Sequence, residues 1–264
     1  EVRGAAMQVI VQMNNILQEY APGQVGRYND DFEPRAFGDN IQKWGTSTIL
    51  IESGGYPNDP EKQEIRKLNF VSILAAIFSI ADEDYKNAEI SKYEEIPNND
   101  RKLFDLKLTG LTYELLGEDY ILDLGINQYE VQDEDLDYFY NSSISDQGDL
   151  STYYGYEEFD ASGYKFEQGK ISPETFENLE KFQQVNISEI LKEGYSYVVL
   201  KELPENDFTK LPINLVTEDF EIPDNLQPNF FLKKDGNLEY AVINGFFIDL
   251  SKENFDVGNA LILD

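Results

Sequence analysis

The periodicity of the apolar residues changes once along this chain, and that change constrains its fold more than any other feature. Up to Asp82 apolar side chains recur at helical spacing, and beyond it they come in short aromatic and β-branched runs punctuated by Gly, Asp and Asn. We therefore divide the 264 residues at this change, into 1–85 and 86–264. In the first segment Val2, Ala6, Val9, Ile10, Met13, Ile16 and Leu17 predict an amphipathic helix over 2–20, ended by Pro22-Gly23. A polar, turn-rich stretch from Gln24 to Trp44 follows. Thr46 to Ile51 then reads as a short buried strand, stopped by Ser53-Gly54-Gly55. Asn58-Asp59-Pro60-Glu61 is a strong helix start, with Asp as a cap and acids at the positive end of the dipole. Ile65, Leu68, Val71, Ile73, Leu74, Ile77, Phe78 and Ile80 give that helix a broad apolar face through about residue 82, a face that must pack on something large. Helix, loop, strand, helix is the grammar of an α/β sheet covered by helices.

A polar connector, Asp84 to Asp100, leads into the second segment. Strands are predicted at Leu103 to Tyr113, Tyr120 to Ile126, Tyr195 to Lys201, Phe230 to Lys233 and Leu238 to Ile243, the last two joined as a hairpin by Asp235-Gly236. Only Ser172 to Phe182 and Asn186 to Leu191 read as helical. The expected fold class is thus an α/β segment followed by a mostly β domain, a β-sandwich by preference over a partial barrel, without a solenoid repeat.

Charge and residue types narrow the function. With 51 acidic against 21 basic residues the net charge is −30, which disfavours nucleic acid as a partner because phosphates would be repelled. No run reaches the roughly 20 apolar residues of a membrane-spanning helix, and no charged leader precedes the first helical pattern. The chain has neither histidine nor cysteine, so disulfides, thiolate nucleophiles and the usual zinc ligands are missing. The sequons at Asn141 and Asn186 are no more than chance supplies. Asp133, Glu134, Asp135 and Asp137 form an acidic loop without the ordered spacing or Gly of a helix-loop-helix calcium site, and read as solvated.

The most informative string is Thr46-Ser47-Thr48-Ile49-Leu50-Ile51-Glu52-Ser53-Gly54-Gly55. A carboxylate ending a buried strand before two glycines either faces a cleft on rigid backbone or simply meets solvent, and the residues alone leave both readings open. This string and its neighbours, from Ala6 to Ile80, resemble the closing part of zinc carboxypeptidases of the carboxypeptidase A type, particularly divergent bacterial members. The resemblance implies that Glu52 is the general base. It further implies that Tyr28, in the stretch Arg27 to Asn40, is the mobile tyrosine covering the substrate, and that Asp39 lies near the pocket for the C-terminal side chain. The family's His-x-x-Glu, later His and substrate-clamping Arg and Asn all precede this part of its sequence, and none is present here. The expectation is an inactive C-terminal portion of a larger peptidase. Zinc and the peptide substrate would belong to the parent, the upstream part of the same catalytic domain would be the partner, and the setting would be secreted, periplasmic or cell-surface in a bacterium.

In the second segment, Phe104 to Gly110, Asp123-Leu124-Gly125-Ile126, Gly148-Asp149-Leu150 and Phe159 to Gly163 resemble the small β-sandwich that frames amidohydrolase barrels. That resemblance implies an accessory β domain without the barrel or its histidines, which braces the catalytic part or binds through tyrosines such as Tyr153, Tyr154 and Tyr156. The competing expectation is a non-enzymatic module that recognises a glycan, a peptide or a partner surface.

Overall fold

The computed structural model describes residues 2–29, 31–57, 59, 61–132, 138–252, 255 and 257–264. The chain is mixed α/β and divides into two compact units, Glu1–Lys102 and Leu103–Asp264. The polar connector therefore lies within the first unit, where it folds into a 3-10 turn at Asp84–Asn87 and a one-turn helix.

The first unit is helical: α1 (Val2–Tyr20), α2 (Phe37–Lys43), α3 (Gln63–Ala81) and α4 (Ser91–Glu94). Helix α1 buries Ala6, Val9 and Met13 of the expected amphipathic pattern, and also Val11, which lies outside it. Helix α3 begins at Gln63, later than the acidic entry predicts, with Lys62 at the N-cap position (φ 57°), but the Asp59 carboxylate still serves its first turn. The Asp59 carboxylate accepts from the backbone N–H groups of Gln63 at 2.7 Å, Glu64 at 2.8 Å and Ile65 at 3.3 Å, satisfying donors that have no partner within the helix. Asn58 and Pro60 of that entry lie outside the described residues.

Helix α3 packs along α1 with an inverted face. The residues it buries are Ser72 and Ser79, while Phe70 is 67% exposed and Ile73, Ile77, Phe78 and Ile80 also face solvent. The expected strand at Thr46 to Ile51 does not form. Leu50 is 67% exposed, Ile51 is exposed as well, and the described residues of this unit contain no strand, only a single β-bridge between Arg27 and Asn98. A β-branched run becomes a strand only where a neighbour satisfies its backbone N–H and C=O groups, and this unit supplies none.

The second unit contains β1 (Leu103–Leu115), β2 (Glu118–Gln132), β3 (Tyr138–Gly148), β4 (Tyr154–Asp160), β5 (Lys165–Gln168), β6 (Lys170–Asn178), α5 (Leu179–Phe182), α6 (Ile187–Lys192), β7 (Tyr195–Glu202), β8 (Phe208–Thr209), β9 (Asn214–Val216), β10 (Phe230–Lys234), β11 (Asn237–Ile243), β12 (Phe246–Asp249) and β13 (Ala260–Leu263). An eight-stranded sheet runs β12-β11-β10-β5-β1-β2-β3, with β4 parallel to the first half of β1. A five-stranded sheet runs β6-β7-β9-β13-β8.

Strand β10 shows how the core is built. Phe230 and Leu232 pack with Leu106, Leu108, Leu124 and Ile126 of β1 and β2, whereas Phe231 joins Val198, Leu200 and Leu215 of the five-stranded sheet and Phe182 and Leu191 of the two short helices. Both faces of the strand are buried, which is why its sequence is a continuous apolar run rather than an alternation.

Ser172 to Phe182 is mostly strand, not helix. Residues 170–178 form β6, parallel to β7, and only Leu179–Phe182 is helical, capped by Asn178, whose side chain accepts from Lys181 N. Thr175 and Phe176 suit a strand, and the ladder is interrupted between Ile171 and Thr175, around Pro173, which has no N–H to donate.

Three hairpins close with two-residue turns in which both residues have positive φ: Leu116-Gly117 (54° and 84°), Asp235-Gly236 (50° and 85°) and Asn244-Gly245 (46° and 74°). Asn and Asp tolerate the left-handed region, but a leucine there costs about 1–2 kcal/mol. Leu116 is moreover 97% exposed and gains no burial in return. Leu116→Asn is expected to stabilise the second unit by about 0.5–1 kcal/mol, read as a higher urea midpoint at unchanged slope. A midpoint that stays put or falls would contradict the strain assigned to this turn.

Candidate functional site

Glu52 sits between Ile51 and Ser53 on the unpaired segment, exposed, with no hydrogen bond or ion pair to its carboxylate among the described residues. Its neighbour Ser53 is tied to α3 by Asn69 Nδ2, which donates to Ser53 Oγ at 2.8 Å. Tyr28 is 54% exposed and follows Arg27, whose N–H donates to the Pro97 carbonyl at 2.7 Å and whose carbonyl accepts from Asn99 N at 2.7 Å. Asp39 lies in the first turn of α2, where its carboxylate accepts from Glu33 N at 2.9 Å and closes the turn before the helix. No hydrogen bond or ion pair joins these three residues. The groove between α1 and α3, lined by Gln12, Glu19, Phe78 and Asp82 among others, includes none of them.

Among the described residues no three His, Cys, Asp or Glu side chains gather into a group that would hold a metal ion. The acidic residues 133–137 lie outside the described residues. With no His or Cys in the chain, the residues present do not fit the zinc implied by the peptidase resemblance.

A cleft of about 710 Å³ opens in the second unit, lined by residues from β5, β10, β11 and β12 and from the end of α6. Glu239 accepts from the Tyr164 hydroxyl at 2.7 Å, and this bond, with burial, holds the phenol well above its usual pKa. Glu167 pairs with Lys233 at 3.4 Å across β5 and β10. Asp249 accepts from Ser251 N at 3.0 Å and Ser251 Oγ at 2.6 Å, and these bonds lower its carboxyl pKa. Lys170 and Lys192 also line the cleft.

The second unit also contains a buried polar ring that sequence reading missed. Asn214 Nδ2 donates to Asn229 Oδ1 at 2.8 Å and to the Ser196 carbonyl at 3.1 Å, and Asn229 Oδ1 also accepts from Asn244 N at 2.8 Å. Asn244 Nδ2 donates to the carbonyls of Tyr140 at 2.8 Å and Asn259 at 3.3 Å, and Leu261 N returns the chain of bonds to Asn214 Oδ1 at 2.9 Å. All four asparagines are buried. They stand 15 residues apart in sequence, each opening or preceding an apolar run, and that spacing was the available signal. Tyr197, whose phenol is pushed up to about 12 by burial, shares this interior with Asn229.

The residues of the fainter sequence resemblance meet at one carboxylate. Asp123 accepts from Gly110 N at 2.9 Å, at the break in β1, and from Leu150 N at 3.0 Å, just after β3. Gly110 has a φ of 69°, and a Cβ there would lie 2.6 Å from Ser162 Oγ. The carboxylate is thus occupied in holding backbone.

No family model and no curated protein matches the chain. Two solved structures are similar to part of it, each over 38% of this chain and 19% of the other, with a TM-score of 0.27. One is the N-acyl-D-glutamate deacylase of Bordetella bronchiseptica, complexed with zinc and a phosphonate inhibitor, at 20% identity. The other, at 19% identity, is a D-aminoacylase with a binuclear metal centre. Neither likeness decides the fold or the activity of this chain. Among the described residues no helix is long and apolar enough to cross a membrane.

Proposed function

We propose that residues 1–102 are the closing portion of a larger zinc carboxypeptidase-like catalytic domain, and that the upstream part of that domain covers α3 and pairs with residues 46–51. One observation carries this reading: α3 turns its serines inward against α1 and leaves Phe70, Ile77 and Phe78 in water. A helix apolar on all sides belongs in an interior. The β-branched run beside Glu52, exposed and without a ladder partner, is the complementary piece, a strand lacking its sheet.

In the completed domain Glu52 serves as general base, Tyr28 covers the substrate and Asp39 borders the side-chain pocket. The metal ligands come from the upstream part, since this chain has none that fit. The second unit is an accessory domain, and the setting is outside the bacterial cytoplasm. A second reading, a binding module without catalysis, is favoured by the cleft of the second unit.

Hydrogen exchange of the amides of residues 47–51 tests the leading reading. They should exchange at nearly free-peptide rates in this chain and at least about 100-fold more slowly in a parent that includes the upstream part. Equally fast exchange in both proteins would remove the reading.

A further inference from the structure

We propose that the cleft in the second unit binds a small organic carboxylate, held by the ammonium groups of Lys170 and Lys192. The assignment is independent of the peptidase reading, because every residue it uses lies in the second unit.

Most of the carboxylates in the cleft are already engaged, and two of its three lysines are not. The carboxylates of Glu167, Glu239 and Asp249 are bonded by Lys233, Tyr164 and Ser251 respectively. Glu193 is the lining carboxylate left without such a bond. The side-chain ammonium groups of Lys170 and Lys192, both exposed, make no hydrogen bond, ion pair or cation–π contact among the described residues. Their freedom is notable in a chain with 51 acids and 21 bases, where carboxylates outnumber cations more than twofold. Elsewhere in this unit Lys165 pairs with Glu114 and Asp119, Lys201 pairs with Glu177, and Lys107 donates to the Tyr153 carbonyl. Lys181 of α5 is the other unengaged lysine of the unit, and it does not line the cleft.

A backbone bond fastens together the two segments that carry these lysines, both of which line the cleft. Lys170 N donates to the Gly194 carbonyl at 3.0 Å, so the start of β6 is fastened to the end of α6 just beyond Lys192. Gly194 has a φ of 88°, and a Cβ there would lie 3.4 Å from Lys170 Nζ. The glycine thus permits the turn and leaves the ammonium its place. The volume, about 710 Å³, falls within the usual range for small-molecule sites. The unengaged donors are cationic and the engaged carboxylates repel further anions at the other positions, so the fitting ligand presents its negative charge locally, as a carboxylate does, rather than as an extended polyanion.

Titration with succinate, followed by the amide shifts of Lys170, Lys192 and Gly194 at fixed ionic strength, reads this directly. Saturable shifts at these amides are expected, with affinity weakened about tenfold or more in Lys170→Gln/Lys192→Gln and unchanged in Lys181→Gln. If the double variant fails to fold, Lys192→Gln alone, at an exposed helix end, carries the test and should weaken binding several-fold. Shifts that grow linearly without saturating, or equal weakening in Lys181→Gln, would overturn the assignment.

Discussion

Asn214→Leu is expected to destabilise the second unit by about 2–4 kcal/mol, although leucine nearly matches asparagine in shape. The reason is the asymmetry between making a buried hydrogen bond and leaving one unmade. Asn214 Oδ1 is the acceptor for Leu261 N, and its Nδ2 supplies both the Ser196 carbonyl and Asn229 Oδ1. After the substitution the Leu261 N–H faces a hydrocarbon side chain in an interior closed to water, which alone costs about 1–3 kcal/mol. The two oxygens each lose a donor as well, and the bonds of the ring polarise one another, so the loss exceeds any single pair. Urea denaturation gives the measurement, with Asn225→Leu, an exposed asparagine, as a control expected to change stability by less than about 0.5 kcal/mol. A loss below about 1 kcal/mol in Asn214→Leu would mean that the ring does not hold β9, β13 and the β11–β12 turn together.

How much of this could be read from sequence depended on whether the deciding interactions were local. The hairpin at Asp235-Gly236 was legible because the turn chemistry lies in two adjacent residues and the flanking runs are β-branched or aromatic. The helix starting after Asp59 was legible because its cap is four residues from its first recipient. By contrast, Thr46 to Ile51 has strand-like composition but no partner strand among the described residues of its unit, and partnership is not a property of the six residues themselves. Ser172 to Asn178 is a strand and not the expected helix because the parallel neighbour that fixes it lies about 25 residues on, at Tyr195 and beyond. The asparagine ring is the clearest case of a pattern present but silent. Asn is ordinarily a turn residue, so four of them at equal spacing read as punctuation until their burial is known. The cleft lysines carried no sequence signal, since what marks them is the absence of a partner in space. Of the predicted site, no bond among the described residues joins Glu52, Tyr28 and Asp39.

If residues 1–102 close a larger catalytic domain as proposed, Glu52→Gln in that longer protein separates a catalytic carboxylate from an idle one. Glutamine keeps the size and hydrogen-bonding reach of glutamate and removes its capacity to take a proton, so a general base should lose about 10²–10⁴ in kcat with KM changed by no more than about threefold. Zinc content should not change, because Glu52 is assigned no role as a ligand. In the chain described here the same substitution should leave the thermal midpoint in place, since the Glu52 side chain is exposed and makes no bond that folding depends on. That pair of measurements distinguishes loss of chemistry from loss of structure. Undiminished turnover in the parent would end the catalytic assignment while leaving the unpaired run 46–51 and the inverted face of α3 unexplained by chemistry, and would turn the first unit into a docking element of an enzyme whose base lies elsewhere.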